Sequence, residues 1–209
     1  MMTKKMKLSI FIVIGIIIIS LLTGTFAYYV ISASSENDIE GRTINFGVSL
    51  TTQRIYQATS LIPLSNNLVQ TAISKETNKC VDKNGRDVCS LYSLTLSNTG
   101  DNIKLTPYIT TINSTFTTNN LKCQIYNSNF SAVSDVMTLS NISNNKMHIT
   151  SSGNNLSINV PSTNQVYYLV IWLTDTNSSQ SADYTKTYNG TITFDGGDAN
   201  GRVQANFSS

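Results

Sequence analysis

A single histidine, His148, stands in the chain's 209 residues, and no acidic residue lies beside it. A cysteine hydrolase needs a histidine base for its thiol, and a zinc protease of the two-histidine helix type needs a second imidazole, so neither chemistry has its residues here. Charge is scarce as well: Asp, Glu, Lys and Arg make up 12% of the chain, against about a quarter in an ordinary globular protein. No stretch after residue 32 keeps a helical apolar period for three turns, and "SLIPLSNNLVQTAI" is the best candidate for a single helical turn. No internal repeat stands out. The acidic residues are scattered singly except in "DGGDANG", where Asp195, Asp198 and Asn200 offer oxygen ligands of the kind calcium takes. That spacing matches no EF-hand, and glycines with Asp and Asn make turns far more often than metal sites. The expectation is a protein without a cofactor or resident metal, and not an enzyme.

Ser, Thr and Asn take the place of the missing charge and together exceed a third of the sequence. Thr suits strands, while Asn and Ser suit turns. Disorder needs low hydrophobicity with high net charge, and the chain has neither. Water contact made through hydroxyls and amides points to an extracellular β protein.

The first residues carry the strongest single signal. Lys4, Lys5 and Lys7 precede an uncharged run over residues 8–22, followed by Thr23, Gly24, Thr25 and Ala27. A positive start, an apolar stretch of about fifteen residues and small residues before a cut are the pattern of a secretory signal peptide. The cut falls between Ala27 and Tyr28. A retained anchor is the alternative, because Phe26, Tyr28, Tyr29, Val30 and Ile31 extend the apolar stretch toward the roughly twenty residues that span a membrane. Either way the remainder lies outside the cytoplasm, secreted into an extracellular matrix or held at the outer face of the cell membrane. Without residues 1–27, eleven basic residues face twelve acidic ones, a net charge of minus one. No basic field is left to attract nucleic acid, and the membrane is met only through the N-terminal segment.

Residues 28–40 start apolar and turn polar, as a flexible tail does, and residues 41–209 have the length of one β domain. "RTINFGVSL" alternates, with Ile44, Phe46, Val48 and Leu50 on one face, as in a half-buried strand. "SLYSLTLSNTGDN" repeats the device through Tyr92, Leu94 and Leu96. In "IKLTPYITTI", Pro107 lacks a ladder donor and marks an edge strand or a bulge. "LKCQIY" aligns Leu121, Cys123 and Ile125, and "KMHITSSGNNLSINV" reads as a hairpin around residues 152–155. "QVYYLVIWLTD" is apolar on both faces, so it is central and covered, or meets a partner. "YNGTITFDGG" and "RVQANF" complete the pattern. Seven to nine such strands predict an all-β fold, an antiparallel jelly-roll-like sandwich preceded by the signal or anchor helix.

Cys80 and Cys89 end a ten-residue segment centred on Asn84 and Gly85, a dipeptide favoured in tight hairpins. Strands paired around that turn bring the two cysteines within disulfide reach, and outside the cytoplasm the bond persists. A pair of metal-binding thiolates is the competing reading, and it lacks a second ligand pair. Cys123, on an apolar strand face, reads as a small buried hydrophobe.

"GTFAYY" after the apolar run, "YSLTLSNTGD" running into "IKLTPYITTI", and "YYLVIWLTD" leading to "YNGTITFDG" together resemble the TasA and camelysin family of bacterial matrix-fibre proteins, exported with a signal peptidase of the SipW type. The resemblance is one of order and pattern over most of the chain. It implies a jelly-roll domain and donor-strand assembly, in which the mature N-terminal segment, here residues 28–38, adds a strand to the next subunit. The partners it implies are the chain itself or a related subunit, and the signal peptidase during export. The hairpin cysteines and the second aromatic, Tyr29, depart from the fibre-forming members. Strand addition also follows from physics, since a tail beginning Tyr28, Tyr29, Val30 and Ile31 can pair along an exposed sheet edge. The expected function is a structural subunit of an extracellular fibre or biofilm matrix. The alternative is a membrane-tethered surface domain that binds a glycan or a protein.

Overall fold

The computed structural model of the protein describes residues 30–34, 38–43, 47–139, 146–183, 185–197 and 201–209, with side chains from residue 47 onward except Thr111. The chain runs β1 (Val30–Ser34), β2 (Asp38–Thr43), β3 (Val48–Tyr56), the short helix α1 (Val69–Ile73), β4 (Cys89–Asn98), β5 (Ile103–Ser114), β6 (Leu121–Asn127), β7 (Met137–Thr138), β8 (Met147–His148), β9 (Thr150–Ser151), β10 (Asn154–Asn155), β11 (Ile158–Val160), β12 (Gln165–Leu173), β13 (Tyr188–Asp195) and β14 (Arg202–Ser208). One sheet has the order β1-β2-β3-β4-β12-β6-β7. The other has the order β11-β5-β13-β14, with β8 beside β11 on the same edge of β5. All paired strands are antiparallel, so the fold is an all-β sandwich. The signal or anchor helix expected over residues 1–27 lies outside the described residues, and none of the described helices is long and apolar enough to cross a membrane.

The alternation read from the sequence becomes the core. Leu94 and Leu96 of β4, Leu105 and Ile109 of β5, Leu121, Cys123 and Ile125 of β6, Ile192 and Phe194 of β13, and Val203, Ala205 and Phe207 of β14 all meet between the sheets. Strand β12 lies between β4 and β6, and its second half, Leu169 to Leu173, is buried on both faces. Leu169 and Ile171 enter the core between the sheets, whereas Val170 and Trp172 face away from it. The outward pair is covered by α1, Val88, Cys80 and Cys89, which form a second, smaller core on the back of the sheet. A five-residue helix is unstable by itself in water. Here Val69, Ala72 and Ile73 hold it by burying against that face.

Three local readings change in the structure. "RTINFGVSL" is not one strand: Arg42 pairs with Ser49 and Gly41 with Leu50, so the chain reverses between β2 and β3. Gly47 makes the reversal feasible at φ 72°, where a Cβ would lie 2.7 Å from the Thr99 hydroxyl. Of the side chains expected on that strand, Ile44 and Phe46 fall outside the described residues. Pro107 sits in an interior strand rather than at an edge. Its carbonyl accepts from the Ile149 N–H at 3.2 Å, so its missing donor faces the gap where β11 gives way to β8 along β5. The bulge in β5 falls instead at Thr110, because Thr191 pairs with Thr111 while Ile192 pairs with Ile109. Finally, Asn84 and Gly85 do not make a two-residue turn. Asp82 N–H donates to the Arg86 carbonyl, leaving a three-residue loop with Gly85 at φ 78°.

Trp172 is fully buried, and its indole N–H donates to Asn66 Oδ1 at 3.0 Å. Trp172→Ala is expected to destabilise the domain by about 3 to 5 kcal/mol in urea unfolding. A loss under about 1 kcal/mol would show that the small outer core does not hold the sheet.

Candidate assembly edge and the disulfide flap

The first described strands form one margin of the seven-stranded sheet. Strand β1 pairs with β2 from Val30 opposite Thr43 to Ser34 opposite Ile39, and β2 pairs with β3 from Asp38 opposite Gln53 to Arg42 opposite Ser49. Val30 and Ile31, two of the four residues expected to drive assembly, therefore lie in the outermost strand, while Ala27, Tyr28 and Tyr29 fall outside the described residues. The segment expected to be a tail supplies all of β1 and the start of β2. On its free side β1 presents the row of backbone donors and acceptors that any edge strand presents. Both β1 and β2 also come within 8 Å, Cα to Cα, of β14, the margin of the opposite sheet. The two open edges of the sandwich thus meet at the chain's first strands.

The disulfide lies elsewhere, on the back of the same sheet. Cys80 and Cys89 are bonded, with Cα atoms 4.8 Å apart, and both are fully buried. They are not directly opposed as the hairpin reading expected. Val81 bridges to Asp87, and Val88 N–H donates to the Cys80 carbonyl, so Cys89 stands one residue beyond Cys80's partner. Cys80 meets it from a left-handed backbone conformation, φ 59°. Cys89 begins β4 opposite Trp172, which ties the flap carrying α1 to the central strands.

A second tie joins the flap to β3. The Tyr56 hydroxyl donates to Asp87 Oδ1, and the other carboxylate oxygen accepts from the backbone N–H and the hydroxyl of Thr59 at 2.8 and 3.0 Å. Burial works against the charge on Asp87, but the hydrogen bonds from Tyr56 and Thr59 outweigh it and hold the carboxyl below its ordinary range. The bond to Asp87, reinforced by burial and by the carboxylate's charge, pushes the Tyr56 phenol up to about 12.

The remaining candidates have structural roles. Cys123 is free and buried, and burial pushes its thiol up to about 12, so it carries almost none of the thiolate that nucleophilic chemistry needs. Asp195 caps the β13–β14 turn by accepting from Gly197 N–H at 2.9 Å and pairs with Lys146 at 3.7 Å. Asp198 and Asn200, its proposed calcium partners, lie outside the described residues, and no group of three or more metal-binding side chains occurs among the described ones. His148 leans on the Tyr108 ring, centroids 5.8 Å apart. The Tyr56 and Asp87 tie leaves no mark in the sequence, because the two residues are 31 positions apart, with no shared period to link them.

Two outcomes test this geometry. Alkylation of the native protein should leave all three cysteines unmodified, and alkylation after unfolding without reductant should label Cys123 alone; a labelled Cys80 or Cys89 contradicts the bond. Replacing both bonded cysteines by Ser should cost about 2 to 3 kcal/mol for a loop of this length. The Tyr56 phenol is raised above its ordinary value of 10.0 in the folded state. Its contribution to stability is therefore complete below pH 10 and is lost as the pH rises from 10 to about 12. The phenolate absorbance that Tyr56→Phe removes should appear near pH 12, and Asp87→Asn should move it back toward pH 10.

No protein-family model matches the chain, and no curated protein or solved structure matches it either.

Proposed function

We propose that the chain is an exported structural subunit of an extracellular fibre or matrix and that it assembles by strand addition. One observation carries the reading: the first described strand is also the outermost strand of the larger sheet, joined to the domain through β2 alone on its hydrogen-bonded side. A strand so placed can leave and be replaced by the same strand of another copy without disturbing the core between the sheets. The register is already written, Val30 against Thr43 and Ser34 against Ile39, so an incoming β1 repeats the pairing it left. Replacing like by like keeps the number of ladder hydrogen bonds unchanged, and the preference for a polymer then rests on the apolar residues that precede β1. Burial of Tyr28 and Tyr29 against a neighbour contributes a few kcal/mol at about 25 cal/mol per Å², before the cost of ordering the segment. The TasA and camelysin resemblance supports the same reading.

The export reading supplies the free N-terminus that exchange requires. Cleavage after Ala27 places Tyr28 only two residues before β1. If the apolar run is retained instead, the same domain stands on the outer face of the membrane, and its β1 cannot be handed on.

Removing residues 28–34 behind an intact export signal tests the proposal. The expected product is a folded, soluble monomer that no longer assembles, while the unaltered protein forms fibres whose mature N-terminus is Tyr28. Fibres from the truncated chain, or an exported protein that keeps residues 1–27, would overturn it.

A further inference from the structure

We propose that Asn84, at the tip of the disulfide flap, is a self-modification site: its side-chain amide is displaced by the Gly85 backbone nitrogen, and water then leaves a carboxylate in its place. The step needs only hydroxide and water. Hydroxide removes the Gly85 N–H proton, the nitrogen attacks Asn84 Cγ, the Cγ–Nδ2 bond breaks and ammonia departs, closing a five-membered imide. Water opens that ring at either carbonyl. Opening at Cγ leaves aspartate with the chain unchanged, whereas opening at the backbone carbonyl leaves isoaspartate, with the chain rerouted through Cγ and one carbon longer.

Ring closure asks three things of the fold, and the flap tip supplies each. The attacking nitrogen must be unhindered: Gly85 has no side chain, and a Cβ placed on it would meet nothing within 4 Å. The amide must be free: Asn84 is exposed, and no described residue hydrogen-bonds its side chain. The peptide between the two must be able to turn. Its N–H is held by the Asp82 carbonyl at 3.2 Å, the longest bond in the loop. The stem is meanwhile pinned, Asp82 Oδ1 accepting from Asn84 N–H at 2.7 Å and from Arg86 N–H at 2.9 Å. The turn required is therefore local to one peptide and leaves the bonded cysteines in place.

The same dipeptide recurs at Asn189 and Gly190, where the fold denies these conditions. Gly190 is buried in β13, opposite Ile112 of β5 on one side and Phe207 of β14 on the other. Asn189 Oδ1 accepts from Asn113 Nδ2 at 3.3 Å. Turning that peptide would break a ladder paired on both sides, so Asn189 keeps its amide while the strand stays closed. Asn200, before Gly201, lies outside the described residues. Between two identical dipeptides the choice is made by tertiary structure. The product adds a negative charge beside Arg86, which already pairs with Asp82 at 2.7 Å. Copies of the protein thus divide with age into two charge forms, and the isoaspartyl product has a longer loop between the bonded cysteines. The site lies on the β3–β4 connection, so it is independent of strand exchange at β1.

Incubating the purified, folded protein at mildly alkaline pH and mapping its peptides by mass spectrometry tests this. The peptide of residues 80–89 should gain the mass of an amide-to-acid exchange and split chromatographically into aspartyl and isoaspartyl forms. In the folded protein its conversion should outpace that of the Asn189 peptide by about tenfold or more, since Asn189 must wait for its strand to open. Reduced, urea-unfolded protein should convert at both positions at similar rates. Asn84→Gln, at an exposed position, should leave the 80–89 peptide unconverted and the melting temperature unchanged. The proposal is overturned if Asn84 keeps its amide in the folded protein while the unfolded chain loses it, or if Asn189 converts as fast as Asn84 in the folded protein. Conversion of the 80–89 peptide in Asn84→Gln overturns it as well.

Discussion

The second half of β12, Leu169 to Leu173, cannot face water on either side, and the rest of the molecule is arranged around that requirement. Leu169 and Ile171 demand a second sheet across the core, which β5, β13 and β14 supply. Val170 and Trp172 demand cover on the back of the sheet. The cover comes from the β3–β4 connection: a five-residue helix, a hairpin and a disulfide. Such a flap has too little core to persist alone. It persists because it is tied at several points, by Cys80 to Cys89 at the start of β4, by Tyr56 and Thr59 to Asp87, and by the Lys79 ammonium to the carbonyl of Ile73 at the end of α1.

The sandwich was legible because period two survives wherever one sheet face is buried, as it does for Tyr92, Leu94 and Leu96 or for Val203, Ala205 and Phe207. The covered strand was legible for the complementary reason, since an unbroken apolar run has no face left for water. What failed were connections. A reversal inside "RTINFGVSL" hides because the alternation continues in phase through it, and only the close approach of Gly47 to Thr99 reveals why the chain turns there. Pro107 misled because the lost ladder bond was assigned to a sheet edge. The structure places it where two short neighbours meet on one side of β5, and sequence near Pro107 carries no trace of β8 and β11, some forty to fifty residues later.

The candidate edge was legible only in part. Apolar β-formers at Val30 and Ile31 announced a strand, but its position in the sheet depends on β2, and residues 38–43, "DIEGRT", carry little β signal of their own. Five residues of β3, Ser49 to Gln53, pair with that strand through the backbone, which no side-chain pattern records. This is the general weakness of reading edges from sequence: an edge strand is defined by what lies beyond it, not by what it contains.

Scarcity of charge sets how the rest of the surface is held together. Where most proteins anchor loops with ion pairs, this one anchors them with short polar side chains: Asp183 is buried and accepts from Thr118 and Asn120, and Asp135 accepts from the Thr150 hydroxyl and from the N–H groups of Ser152 and Gly153. Such bonds are local and barely screened, so the fold depends little on salt. The same choice leaves a formal net charge of only +2 on the chain, so long-range repulsion between copies is weak. A domain of this kind must control association by shape rather than by charge. Covering β12 on its back closes one apolar surface, and pairing β1 onto β2 moves the sheet's open edge out to the first described strand. The margin left open then presents the backbone groups of a single strand, β1, which offer hydrogen bonds rather than charge.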